Sequence, residues 1–263
     1  MEIIKRRIEE INEYGYDLDF SEVFNPAFNI YKKIVLSAGV MVLLLVVVIA
    51  IIVVAGIFAV VGINGLATDL QNFSPINLTF TFLMLYCVVV IAGSIFTILL
   101  TAGFLQMGWN AYHKIDFSIG TVFQHFNSKE TKELVMGATI IAIPNLVQML
   151  LFEYFRFTYM GSIVSGIIGF LTFMTVPLII FGNLKAMDAI LGSILVIIKN
   201  FLMIFLLFIV SYIIALVGII ACGIGMLFTI PFMYAMQVSI YLNIFELPDE
   251  HTPIDSNPNQ NFI

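Results

Sequence analysis

The side chains able to do chemistry are few and scattered. Histidine occurs as His113, His125 and His251, and cysteine as Cys87 and Cys222. A metal site needs three or four such ligands at short spacing, and a nucleophile needs a base beside it. The sequence has no CxxC motif and no Cys/His cluster. The histidines read as solvated loop or tail residues, and the cysteines as packing residues. Glu153 and Arg156 stand one turn apart and read as an ion pair at the edge of an apolar run. Asp188 reads as a partner of Lys185 or of lipid headgroups. A lipid-modifying enzyme would have to gather His113, Asp116, His125, Glu153 and Arg156 from separate loops, which makes it the least favoured reading. We therefore expect no catalytic residue, no cofactor and no metal. What remains is polar but uncharged: Asn145, Gln148 and Gln237, with Thr172, Thr175, Ser211, Ser239 and Asn243, all inside apolar stretches. Such groups either bond one helix to another or line a path for an uncharged solute; interhelical bonding is the favoured reading.

The elements that hold these residues are set by composition. Hydrophobic residues make up 61% and charged residues 11%, against about 45–50% and about 25% in an ordinary soluble chain. Mean hydropathy is +1.06. A water-soluble domain of this length cannot hide so much apolar surface, so lipid must be the solvent for most of it. The stretch Phe201 to Phe245 contains no Asp, Glu, Lys, Arg or His. As one helix it would run roughly 65 Å, about twice the hydrocarbon core of a bilayer. It must fold back, and its turn chemistry lies at Cys222-Gly223-Ile224-Gly225.

The same plan repeats along the chain. The sequence predicts an all-α fold with six spans, at about 34–63, 78–108, 134–152, 160–182, 201–221 and 226–245, arranged as three hairpins. An amphipathic interfacial helix should precede each hairpin. In the first, Phe20, Val23, Phe24, Ala27, Phe28 and Tyr31 share a helical face, with Asp19 or Ser21 as cap and Lys32-Lys33 at the end. In the second, Asp116-Phe117-Ser118 echoes Asp19-Phe20-Ser21. In the third, Leu184, Met187, Ile190, Leu191, Ile194 and Ile198 share a face, and Lys199 closes it. Residues 1–33 then form an N-terminal segment, 34–245 the membrane domain, and 246–263 an acidic tail expected to be disordered. The charged N-terminus does not read as a cleaved secretory signal; the first span serves as an uncleaved one.

Charge supplies the orientation. With six spans and a cytoplasmic N-terminus, Lys5, Arg6, Arg7, Lys32, Lys33, Lys114, Lys129, Lys132, Lys185 and Lys199 all fall inside, and only Arg156 of the 11 basic residues falls outside. That is the asymmetry of the positive-inside rule. Both termini and the three interfacial segments are then cytoplasmic. No basic face suits a nucleic acid.

One further pattern lies in the last hairpin. Gly218, Cys222, Gly225, Thr229, Pro231, Ala235 and Tyr241 resemble the ending of a bacterial membrane family that includes the YciC-like proteins and the membrane domain fused to some glycerophosphodiester phosphodiesterases. Ala189, Ser193 and Pro177 resemble positions just upstream. The family usually carries an Asp after its Pro177-like position, where this chain has Phe181-Gly182-Asn183. The resemblance implies a six-helix integral membrane domain of the bacterial inner membrane. It implies no phosphodiesterase activity, which belongs to a separate soluble domain. Each motif residue also has a folding reason: Gly223 and Gly225 suit a tight turn, Thr229 can return a hydrogen bond to the backbone, and Pro231 suits the start of a helix.

The function these features favour is a non-enzymatic envelope or lipid-associated scaffold, or an accessory subunit. Membrane lipids are the expected partners, with a protein partner or a second copy also open. The alternative is a permease or channel for a small uncharged solute.

Overall fold

The computed structural model describes residues 2–71, 80–220 and 224–246, with side chains described outside 53, 56–71, 80–83, 85, 158, 220 and 224. Among the described residues the chain is predominantly helical and has no strand. Five stretches are long and apolar enough to cross a membrane: Phe20–Ile52, Tyr86–Tyr112, Thr131–Tyr154, Tyr159–Ile180 and Gly225–Phe245. A pair of helices, Ala186–Lys199 and Phe201–Val217, is bent by 102° and makes a sixth if counted as one. This is the pattern of a multi-pass membrane protein.

The N-terminal polar segment, for which no element was expected, forms helix α1 (Glu2–Tyr14). Its signal was present: Ile4, Ile8 and Ile11 repeat at helical spacing, and Gly15 stops the helix. Gly15 adopts φ 73°, a left-handed conformation that glycine enters freely, and its N–H closes on the carbonyl of Ile11 at 2.9 Å.

Helix α2 (Phe20–Gln71) is a single run of 52 residues, about 78 Å long. This corrects two expectations. The amphipathic segment at 20–31 is not a separate surface helix but the first turns of α2, and the loop expected at 64–77 is helical as far as Gln71; residues 72–79 lie outside the described residues. Asp19 starts the helix, its carboxylate accepting from the N–H groups of Ser21 (2.7 Å) and Glu22 (3.1 Å). Pro26 lies inside the helix and removes the N–H that would have bonded the Glu22 carbonyl. Asn243 replaces it, donating its Nδ2 to Glu22 O at 3.3 Å, and Ser239 donates to Val23 O at 2.6 Å. Both stand on α10 (Pro231–Phe245). The first turns of α2 therefore bury Val23, Ala27 and Ile30 against α10 rather than lying on a surface.

Helix α3 (Phe80–Tyr112) returns alongside. The second amphipathic segment follows as a 3-10 run, Ile119–Asn127, laid against α3 at Gly103. A Cβ there would stand 1.9 Å from the carbonyl oxygen of Val122, so only glycine permits the approach. Helices α4 (Thr131–Tyr154) and α5 (Thr158–Leu171) make a hairpin. Its turn holds Arg156 at φ 60°, between the spans expected at 134–152 and 160–182. A short helix, α6 (Thr175–Ile180), continues α5 past a break at Thr172–Met174. Then α7 (Ala186–Lys199) lies across the direction of α8 (Phe201–Val217), which ends in a 3-10 turn, Gly218–Ile220. Helix α9 (Ile224–Thr229) leads into α10. Residues 221–223, and with them Cys222 and Gly223, lie outside the described residues, as does the acidic tail beyond Glu246.

The outer surface is apolar. On α2, Leu44, Val48 and Ile52 are 50%, 52% and 64% exposed, and Leu202 on α8 is 81% exposed. A helix that is apolar all round yet uncovered is at home in lipid and not in water.

Candidate functional site

Three amides were singled out from the sequence. Each donates to a fixed acceptor. Asn145, the residue after Pro144 in α4, gives its Nδ2 to Ile141 O of its own helix at 2.9 Å. Gln148 gives its Nε2 to Ser165 Oγ on α5 at 2.5 Å, so it ties the α4–α5 hairpin. Gln237 of α10 is 5% exposed and donates to Phe173 O. The structure does not bring the three together: two belong to the α4 side, and Gln237 belongs to the break between α5 and α6.

That break is a junction of four helices. Its freed backbone groups would be costly in lipid, where no water can satisfy them. Ser193 of α7 satisfies two, donating Oγ to Leu171 O at 2.8 Å and accepting from Met174 N at 3.0 Å. Gln237 takes the third at Phe173. Ser193 had been noted only as part of a resemblance, and a lone buried serine gives a sequence no mark of such a role. Thr175 Oγ1 and Gln148 Oε1 are buried without a hydrogen-bond partner.

The motif residues of the last hairpin also meet. A Cβ on Gly218 would stand 2.4 Å from Met226 N and 2.5 Å from Gly225 C, so the 3-10 turn and α9 touch through backbone. Thr229 donates to Ala215 O across the hairpin at 2.7 Å. Pro231 opens α10 at a position with no N–H to lose, and Ala235 is fully buried. Tyr241 is 2% exposed and sits among the rings of Trp109, Phe181 and Phe245, with centroids at 6.1, 5.3 and 5.0 Å.

The charged groups converge elsewhere. Lys33 Nζ donates to Ala111 O at the end of α3 (2.8 Å), Arg7 Nε to Ile244 O at the end of α10 (3.2 Å), and Lys199 Nζ to Asn12 O at the end of α1 (2.5 Å). Each cation thus meets the negative end of a helix. The converse holds at the start of α7, where Glu133 accepts from Ala186 N at 2.9 Å. His113 lies 3.3 Å from Glu246. These contacts bring α1, the starts of α2, α4 and α7, and the ends of α3, α6 and α10 to one end of the bundle. Ten basic residues gather there; Arg156 is at the other end. Tyr16 donates to Val196 O at 2.9 Å, and burial pushes its hydroxyl well above the usual tyrosine range. Asp188 pairs with Lys5 at 2.6 Å, not with Lys185.

His125 is a correction. It is not solvated but 4% exposed. Nε2 faces Gln106 Oε1 at 3.2 Å and Nδ1 faces Ser128 Oγ at 3.2 Å. Gln106 in turn donates Nε2 to Asn110 Oδ1 at 2.8 Å, so its Oε1 is an acceptor and the histidine proton belongs on Nε2. Burial lowers the His125 pKa, outweighing the opposing charge of Glu130, 3.8 Å away.

Two cavities open at this basic end. One of about 90 Å³ is bordered by Lys129, Glu130, Glu133 and Asn183. The other, of about 270 Å³, lies between α1 and α7. Among the described residues no three His, Cys, Asp or Glu side chains are placed to share a metal ion. No family model, curated protein or solved structure matches the chain.

Proposed function

We propose that the chain is a non-enzymatic, lipid-associated scaffold or accessory subunit of a bacterial inner membrane, with six spans and both termini cytoplasmic. One observation carries this reading: several polar side chains inside the bundle hold helices together. Gln237 and Ser193 close a helix break, Thr229 ties a hairpin, and Ser239 and Asn243 serve the backbone around Pro26. The sixth span is α8 with its 3-10 extension. Its 17 α-helical residues and three 3-10 residues rise about 26 Å and about 6 Å, enough for a hydrocarbon core of about 30 Å. Helix α7 then lies in the headgroup layer, which its exposed Met187, Leu191 and Ile198 favour. The likeness of the last hairpin to the YciC-like family agrees with this architecture.

The test is to purify the protein in a mild detergent and identify what accompanies it. Stoichiometric lipid or a specific protein subunit is the expected result. A protein that comes out alone and delipidated contradicts the reading. The permease alternative is favoured by one observation, the two buried acceptors Gln148 Oε1 and Thr175 Oγ1 that have no partner. Reconstituted vesicles that pass a small uncharged solute faster than protein-free vesicles, with the rate abolished by Gln148→Leu, would select it.

A further inference from the structure

The cavity between α1 and α7 has the chemistry of a lipid headgroup site. Its walls are apolar, from Ile8 of α1 and Leu191, Gly192 and Leu195 of α7. Gly192 sets how closely the two helices approach, since a Cβ there would meet the end of Ile8 at 2.9 Å. The rim is charged and unbalanced: Lys5 stands against two carboxylates, Glu9 and Asp188. Lys5 and Asp188 are paired, with side chains 43% and 39% exposed, and Glu9 is exposed. Lys5 and Glu9 lie one turn apart, about 6 Å along α1. The cavity opens toward the outer face of α7, where Leu191 is 59% exposed.

We propose that this groove binds an ethanolamine phospholipid. The phosphate takes Lys5, the ammonium takes Asp188 and Glu9, and the glycerol with its first methylenes lies on Ile8, Leu191 and Leu195. The charge pattern selects among lipids. A purely anionic headgroup would face a surplus carboxylate. A choline headgroup has the right charge but no N–H to donate, whereas a primary ammonium has three donors and makes charge-assisted hydrogen bonds. At about 270 Å³ the cavity is just below the range of about 300–1,000 Å³ for whole small-molecule sites, so it holds the polar head and leaves the acyl chains in the bilayer. The proposal rests on the lipid-associated reading and on α7 lying at the headgroup level.

The test uses the full chain in phosphatidylglycerol nanodiscs doped with equal small amounts of ethanolamine and choline phospholipids of identical acyl chains. The protein is extracted in mild detergent, and bound lipid is counted by mass spectrometry. The expected result is an ethanolamine-to-choline ratio enriched about tenfold over the disc, the factor supplied by one charge-assisted hydrogen bond at the low end of its range. The double variant Glu9→Gln/Asp188→Asn should bring the ratio back to that of the disc while total bound lipid stays the same. Losing an exposed ion pair costs α1 little, and unchanged release of α1 to limited proteolysis confirms that it stays docked. Leu195→Trp, which fills the groove from its apolar side, should lower retention of the ethanolamine lipid without touching the charges. An unenriched ratio in the unaltered chain, or enrichment that survives the double variant, overturns the proposal and leaves the broader reading standing. A chain that retains no lipid of any class overturns both.

Discussion

Gln237 and Ser193 show what single polar side chains do in a lipid-bathed bundle. Lipid supplies no hydrophobic drive between helices, so packing and hydrogen bonds decide which helices meet. Gln237→Leu leaves the partly buried Phe173 O without its partner, and should cost about 1–3 kcal/mol. Ser193→Ala strips two backbone groups and should cost at least as much. Both changes strike one junction, so the double variant should lose less than the sum; thermal unfolding in detergent measures all three. His125 makes a pH prediction. Its folded pKa lies below its unfolded value, so the unfolded chain binds the extra proton and stability must fall as the pH is lowered. The contribution is whole above the unfolded value of about 6.5 and is lost as pH drops through the lower folded value. Protonation puts a hydrogen on Nδ1 and forces Ser128 to turn. Unfolding temperature should decline as the pH drops below about 7, and His125→Gln should flatten that decline; an unchanged slope would contradict it. The sequence places His125 between two apolar runs and so suggests a solvated loop, while its partner Gln106 comes from α3.

At the scale of elements, glycines decide where backbones touch. Gly103→Val would drive a side chain into the Val122 carbonyl, displacing the 3-10 run from α3 at a cost of about 1–3 kcal/mol, with Gly103→Ala milder. Gly218→Ala meets the backbone of α9 in the same way and should weaken the last hairpin. Gly93, with nothing within 4 Å of its Cβ position, is the control: Gly93→Ala should be neutral or slightly stabilising. Long apolar runs made five spans legible in the sequence, and the helix start was legible to within Asp19 or Ser21, of which Asp19 caps it. The amphipathic segments were legible as apolar faces but not as to what those faces cover. Periodicity tells which side of a helix seeks a partner, and the partner here, α10, comes from the other end of the chain.

The whole molecule is a bundle with two unlike ends. One end gathers α1, the described start and finish of the chain and ten of the 11 basic residues; the other carries Arg156 on the α4–α5 turn. Composition made this asymmetry readable, because charge placement along a membrane chain is a global pattern that survives errors in single helices. The groove between α1 and α7 was not readable, because no helix is expected at α1 and the sequence offers Asp188 only Lys185 or a headgroup as partner, whereas Lys5 pairs with it. The reading of the molecule depends on lipid surrounding the bundle with both termini on one side. The most direct test replaces Cys87 and Cys222 with alanine, places single cysteines at Arg156 and at Asn259 in the tail, and labels intact cells with a membrane-impermeant thiol reagent. The Arg156→Cys protein should label in intact cells, and the Asn259→Cys protein only after the cells are opened. Labelling of both positions from outside, or of Asn259→Cys alone, would contradict the account.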